Sequence, residues 1–250
     1  MNILSGLFFL CASLSLNATK QSVSGSSTFA DVTFDQLKTS GSSTLTRVVV
    51  NDLTCSGSCK FTDLTVRGHF TGSGSRRGTG LTANTCDFSG STGLQDAVLE
   101  SLTLSGSLTA TRVSIAKDCQ TSGSCEADEL MVEGFMNSSG RLTLRNSTVH
   151  ELQCSSKAKL YDTTVNGSVT VAQTNSSRSG WQTDISWLRW LFSLFSFRND
   201  SDDEDDIHTL YIYGTTKITG DVTFESGDGV VYCDSKAEVL GVVHGGKIIK

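Results

Sequence analysis

The chain has 250 residues, 20 Lys and Arg against 26 Asp and Glu, a formal charge of -6 and no proline. The missing proline excludes collagen-like, polyproline and Pro-rich linker architectures, and scattered Lys and Arg on an acidic chain exclude the basic footprint of a nucleic-acid binder. Ser and Thr make up about a quarter of the residues, yet 37% are apolar and Val, Leu and Ile recur regularly, which points to a packed core rather than disorder.

In chain order, residues 1–18 carry an apolar middle too short to span a bilayer, followed by small residues. This predicts a secretory signal peptide and a secreted, periplasmic or cell-envelope location, although Lys and Arg are absent from its start. Leu10 before Cys11 argues against a lipidated cysteine. Residues 19–30 read as a Ser-rich linker, and residues 31–250 as one β-solenoid domain interrupted by an insertion at 174–206.

The solenoid reading rests on an internal repeat. An apolar-x-apolar-x-Gly phrase recurs at Leu64 to Gly68, Leu102 to Gly106, Leu130 to Gly134, Thr163 to Gly167 and Leu210 to Gly214. Cysteines in small polar turns precede most copies. Cys55, Cys86, Cys119 and Cys154 follow one another at 31, 33 and 35 residues, so half the period is about 16 to 17 residues, the length of one solenoid coil. Between turns the side chains alternate, as over Arg141 to Leu152, which marks short strands with one face buried. Short strands with this alternation suit either an antiparallel β-sandwich or a coil, and the near-constant period favours the coil. Each coil then hydrogen-bonds to its neighbours, proline would delete a bond, and like residues stack about 4.8 Å apart. Residues 31–173 and 207–250 make about eleven coils, a rod of roughly 50 Å. The predicted fold is all-β: a single-stranded right-handed parallel β-solenoid with a short inserted amphipathic helix.

That helix is expected within the insertion, where all three tryptophans lie. Ser186, Arg189, Ser193 and Ser196 leave a narrow polar stripe opposite a broad apolar face. The stretch is too short to cross a membrane upright. It is expected to dock on the solenoid wall, on a partner or in a membrane interface through 185–197, with Trp187, Trp190, Leu191 and Phe195 as candidate contacts. The acidic run Asp202 to Asp206 beside it weakens the membrane option.

Seven cysteines follow the expected signal peptide: Cys55, Cys59, Cys86, Cys119, Cys125, Cys154 and Cys233. The close pairs Cys55/Cys59 and Cys119/Cys125 are candidates for small disulfide loops in an oxidising compartment, and the rest pair across the structure or stay buried as core ladders. Their spacings match no zinc pattern, so no metal is expected. His69, His150, His208 and His244 are dispersed, and Asp63, Asp87, Asp128 and Asp162, tested as an acid/base set, stand in unlike contexts. No phosphate-binding glycine loop or nucleophile elbow appears. No catalytic residue and no cofactor are expected. Asn137, Asn146, Asn166, Asn175 and Asn199 head sequons, which become glycan sites only in a eukaryotic secretory setting.

The phrases Gly140 to Val149, Thr164 to Val171 and Ile218 to Val231 resemble rungs of bactofilin-like, polymer-forming bacterial solenoids and related secreted adhesin-type repeats. The resemblance spans most of 31–250. It implies a right-handed β-helix that assembles without nucleotide and lacks catalytic residues. The signal peptide, the cysteines and the aromatic insertion depart from bactofilins and favour the envelope or exterior over a cytoskeletal role. A rod of coils has two open ends, so the expected partner is a second copy joined end to end, together with cell-surface or envelope components. The expected function is that of a non-enzymatic structural or adhesive protein, the alternative being a polysaccharide-binding or polysaccharide-cleaving solenoid.

Overall fold

A chain that winds about an axis can satisfy its backbone groups only if each lap finds the N–H and C=O groups of the laps on either side. The computed structural model shows this arrangement, and it describes residues 18–155, 157–172 and 208–250. Its strands are β1 (Ala18–Ala30), β2 (Thr33–Thr46), β3 (Val49–Ser105), β4 (Leu108–Ile115), β5 (Cys119–Thr121), β6 (Cys125–Ser138), β7 (Leu142–Arg145), β8 (Thr148–Cys154) and β9 (Ala158–Tyr161). They continue as β10 (Thr164–Val165), β11 (Val169–Val171), β12 (Thr209–Tyr213), β13 (Lys217–Ile218), β14 (Val222–Phe224), β15 (Gly229–Cys233), β16 (Glu238–Val239), β17 (Val243–His244) and β18 (Gly246–Ile249).

The register is parallel throughout and steps by one lap: Leu37 pairs with Leu53, Leu108 with Cys125, Val149 with Val165 and Val165 with Ile218. These pairs place residues 16 or 17 apart over one another until the insertion, the lap length expected from the cysteine spacing. The chain is a right-handed parallel β-solenoid. Each lap has three short sides, seen most clearly where β7, β8 and β9 to β11 are separate strands. The five apolar-x-apolar-x-Gly phrases fall on different sides: Leu130 stacks on Val113, Leu102 on Cys119 and Leu210 on Ala158.

Two expectations are corrected. Residues 19–30 are not a linker; they belong to β1, which pairs in register with β2 from Ala18↔Phe34 to Ala30↔Thr46. Nor does the described structure contain a helix: every regular element in it is a strand, so the fold class is all-β solenoid without one. The segment 174–206, where a helix was expected, lies wholly outside the described residues, as do residues 1–17.

The corners explain how one strand, β3, runs unbroken through several laps. One corner is built on residues with positive φ: Asp31, Arg47, Asp63, Asp96, Arg112, Glu129, Asn146 and Asp162 at 47° to 57°, with Gly80 and Gly214 in the same ladder at 67° and 62°. Asp and Asn tolerate this conformation, but for Arg and Glu it costs about 1–2 kcal/mol. Ion pairs up the outside partly offset it. Arg47 grips Asp31 with both Nε and Nη2, at 2.5 and 2.7 Å, and Arg112 repeats this on Asp96 at 2.5 and 3.1 Å. These pairs are exposed, so each contributes little on its own.

A second corner carries Gly25, Gly41, Gly57, Gly74, Gly90, Gly106, Gly123 and Gly140, one per lap. From Gly41 on, a Cβ on each would fall within 2.6 Å of the carbonyl oxygen of the glycine one lap before. Only glycine lets the laps approach so closely at this corner.

The inside is a continuous apolar column. Leu53, Leu64, Phe70, Ile115, Leu144, Leu160 and Ile218 are among its fully buried members. Outside it, Tyr161 stacks on Tyr213 at 4.7 Å and Tyr211 on Tyr232 at 5.0 Å, a ladder of like rings produced by lap stacking.

Candidate functional site: the end laps and a sulfur-lined corner

A solenoid exposes unpaired strand edges where the stack stops. The last described lap is made by β16, β17 and β18, and among the described residues each pairs only with the lap before it, on β13, β14 and β15. It is also apolar on its surface. Leu240 is 57% exposed, Val242 59%, Ile248 41% and Ile249 38%, and these are four of the six large apolar residues exposed among the described residues. The other end is different in chemistry. Among the described residues β1 pairs only with β2 and presents mostly exposed Ser, Thr, Gly, Gln and Lys, while Phe29 packs edge-on to Phe34 at 5.3 Å.

Inside the glycine corner, the two residues on either side of each glycine face one another across the turn. The pairs are Thr39/Ser43 around Gly41, Cys55/Cys59 around Gly57, Gly72/Arg76 around Gly74 and Phe88/Thr92 around Gly90. Thr39 Oγ1 lies 3.3 Å from Ser43 Oγ and donates to Cys55 Sγ at 3.3 Å. The Cys55 thiol in turn donates to Cys59 Sγ at 3.2 Å. One lap on, Arg76 lies inside the column, 1% exposed. Its Nη2 donates to the Ser89 carbonyl at 2.5 Å, its Nε reaches Thr92 Oγ1 at 3.4 Å and its guanidinium sits 4.6 Å from the Phe88 ring centre. Gly72 makes the room: a Cβ there would be 2.5 Å from Arg76 Nη1.

Arg76 Nη1 is buried without a partner, and no carboxylate among the described residues forms an ion pair with this guanidinium. Its electrostatic neighbours are the sulfurs of Cys55, Cys59 and Cys86. The thiols respond unequally. Burial pushes Cys86, Cys125 and Cys154 up to about 12 and raises Cys119 and Cys233 as well. Cys55 is raised chiefly by its hydrogen bond to Cys59. Of the described thiols Cys59 alone is lowered, first by the Cys55 thiol, then by Ser43 and Arg76, against the opposing effect of burial.

All seven expected cysteines are buried and free. Cys55 and Cys59 are brought together. Cys119 and Cys125 stand in different ladders, over Leu102 and Leu108. Cys154 stacks over Ser138 and Cys233 over Ile212. Trp187, Trp190, Leu191 and Phe195 lie outside the described residues. Asp63 and Asp162 share the positive-φ corner ladder several laps apart, and Asp128 accepts from Asn146 Nδ2 at 2.9 Å, so the tested carboxylates do not converge. No group of three metal-ligating side chains occurs among the described residues. The tyrosine rings face one another along the rod, which leaves their edges rather than their faces toward solvent.

Sequence reasoning placed small Gly, Ser and Thr at the corners but missed Arg76 and the ladder of one glycine per lap, although a signal was present: Ser-Gly-Ser recurs at 24–26, 40–42, 56–58, 73–75, 89–91, 105–107 and 122–124. Compared with known proteins, the chain matches no family model, no curated protein and no solved structure.

Proposed function

We propose that this chain is a non-enzymatic structural protein of the cell envelope or exterior whose solenoid joins end to end, in the manner of the bactofilin-like and adhesin-type repeats its rungs resemble, with adhesion through the hydroxyl-rich walls as a second use of the same rod. The observation that carries the reading is the last lap, where three one-sided strand edges coincide with exposed Leu240, Val242, Ile248 and Ile249. Unpaired edges supply backbone hydrogen bonds to a second copy, and the apolar side chains supply the driving force. Light scattering and sedimentation across a wide concentration range test it. The expected result is concentration-dependent growth that the double substitution Val242→Lys and Ile248→Lys abolishes. A monodisperse monomer at high concentration overturns it.

A further inference from the structure

A guanidinium inside an apolar column is costly unless an anion compensates it, because burial penalises the unpaired charge. Arg76 has backbone and hydroxyl acceptors but no carboxylate within the described residues. The ionisable groups facing it are Cys59, Cys55 and Cys86. Of these, Cys59 occupies the matching ladder position one lap before and receives the Cys55 thiol hydrogen at 3.2 Å. Cys86 lies beside Asp87, which disfavours a second anion there. A thiolate at Cys59, with Arg76 as its counter-charge and Cys55 as its hydrogen-bond donor, therefore satisfies all three groups.

The same corner places a second thiol where it can resolve an oxidised first one. A disulfide of about 2.05 Å requires the two sulfurs to approach by only about 1 Å from their present separation. Cys59 is 1% exposed, but it lines a surface hollow of about 390 Å³ together with Lys60, Ser75, Arg76, Arg77 and Thr92. The hollow brings solvent against this corner, so a reagent not much larger than water needs only a local opening to meet the sulfur.

We propose that Cys59 and Cys55 form a peroxide-reactive dithiol, with Cys59 as nucleophile, Cys55 as resolving thiol and Arg76 as the positioning residue that holds the thiolate. The substrate class is a small hydroperoxide. The Cys59 thiolate attacks one peroxide oxygen, the O–O bond breaks, and the departing hydroxide takes a proton from solvent, which leaves a sulfenic acid and one water. The Cys55 sulfur then attacks the sulfenic sulfur. The S–S bond forms as the S–O bond breaks, and the leaving hydroxide departs with the Cys55 proton as a second water. Two electrons pass from the thiols to the peroxide, and an external thiol reverses the change. This inference is independent of end-to-end assembly, which uses the end laps of the rod.

The test uses the full-length protein, stoichiometric hydrogen peroxide and mass spectrometry. The expected product is lighter by two hydrogens, with the link inside the tryptic peptide 48–60, and dithiothreitol restores the original mass. Cys55→Ser is expected to stop at a sulfenic acid on Cys59 that dimedone traps when the oxidised protein is unfolded in its presence, whereas Cys59→Ser leaves Cys55 unmodified. Arg76→Gln, with its fold checked by circular dichroism, is expected to shift the pH profile of oxidation upward and slow the reaction at neutral pH by about tenfold for each unit that the Cys59 pKa rises. Arg76→Lys is expected to recover part of that loss. Lys60→Ala and Arg77→Ala, which line the same hollow, move the profile less than Arg76→Gln does. Absence of the link under excess peroxide, reaction at the Cys119/Cys125 pair at the same rate, or an unchanged pH profile in well-folded Arg76→Gln overturns the proposal.

Discussion

Gly74 lies directly over Gly57: a Cβ on Gly74 would stand 2.4 Å from the Gly57 carbonyl oxygen, and its φ is +97°. Gly74→Ala combines backbone strain with a backbone clash that no side-chain rotation relieves, so a loss of about 2–4 kcal/mol is expected. Gly25→Ala separates the two causes. Gly25 has φ +87° but nothing within 4 Å, so only strain of about 1 kcal/mol is expected. Urea unfolding of the two variants beside the wild type measures the difference.

Thr143 points outward from β7 with a lap on each side, at Glu126 and Lys159. Its hydroxyl is dispensable, but its N–H is part of the wall. Thr143→Pro is expected to cost about 3 kcal/mol or more, while Thr143→Val is nearly neutral. Equal effects of the two would remove the argument that wall hydrogen bonding explains the missing prolines.

Leu53 is fully buried and stacks on Leu37. Leu53→Ala leaves a gap that its neighbours, fixed in their ladders, fill only in part, so a loss of about 2–5 kcal/mol is expected. Thermal denaturation followed by far-UV circular dichroism reads it.

Asp162 accepts hydrogen bonds from the Thr215 N–H and hydroxyl, each at 2.9 Å. These bonds hold its carboxyl below the ordinary value of 3.8. A carboxylate depressed in the folded state adds stability above its unfolded pKa, and that share is lost as pH falls through the folded value. The loss is therefore expected below about pH 4, as a drop in the urea midpoint that is smaller in Asp162→Asn. A carboxyl NMR titration that places Asp162 at or above 3.8 contradicts the assignment.

Much of this fold was legible before the structure. The cysteine spacings of 31, 33 and 35 residues average to two laps although the cysteines do not all share one ladder: two laps on from Cys119 stands Leu152, with Cys154 at the next inward position, and Leu142, Leu144 and Leu152 alternate because one face of each side is buried. The first lap was not legible as part of the wall: Val23 and Phe29 are its only large apolar residues in β1, and both are half-buried. An end lap needs less apolar surface, so its composition reads as a linker, although its Ser24 to Thr28 repeats Ser40 to Thr44 residue for residue. Arg76 was hidden for a different reason. An inward arginine breaks the alternation rule, and the compensation that permits it, the void at Gly72 and the sulfur at Cys59, comes from other laps that only winding brings near.

Val171 pairs with Phe224 and Tyr161 with Tyr213, so the wall resumes its register across a detour of dozens of residues. Ladder packing and lap-to-lap bonds hold the column, while the length of a corner enters only through a closure entropy that grows slowly with length. The junction after Ala172 is thus a natural splice site. A reporter or antigen grafted there would ride at one fixed azimuth of every rod, and copies joined by their tips would carry it as a regularly spaced array.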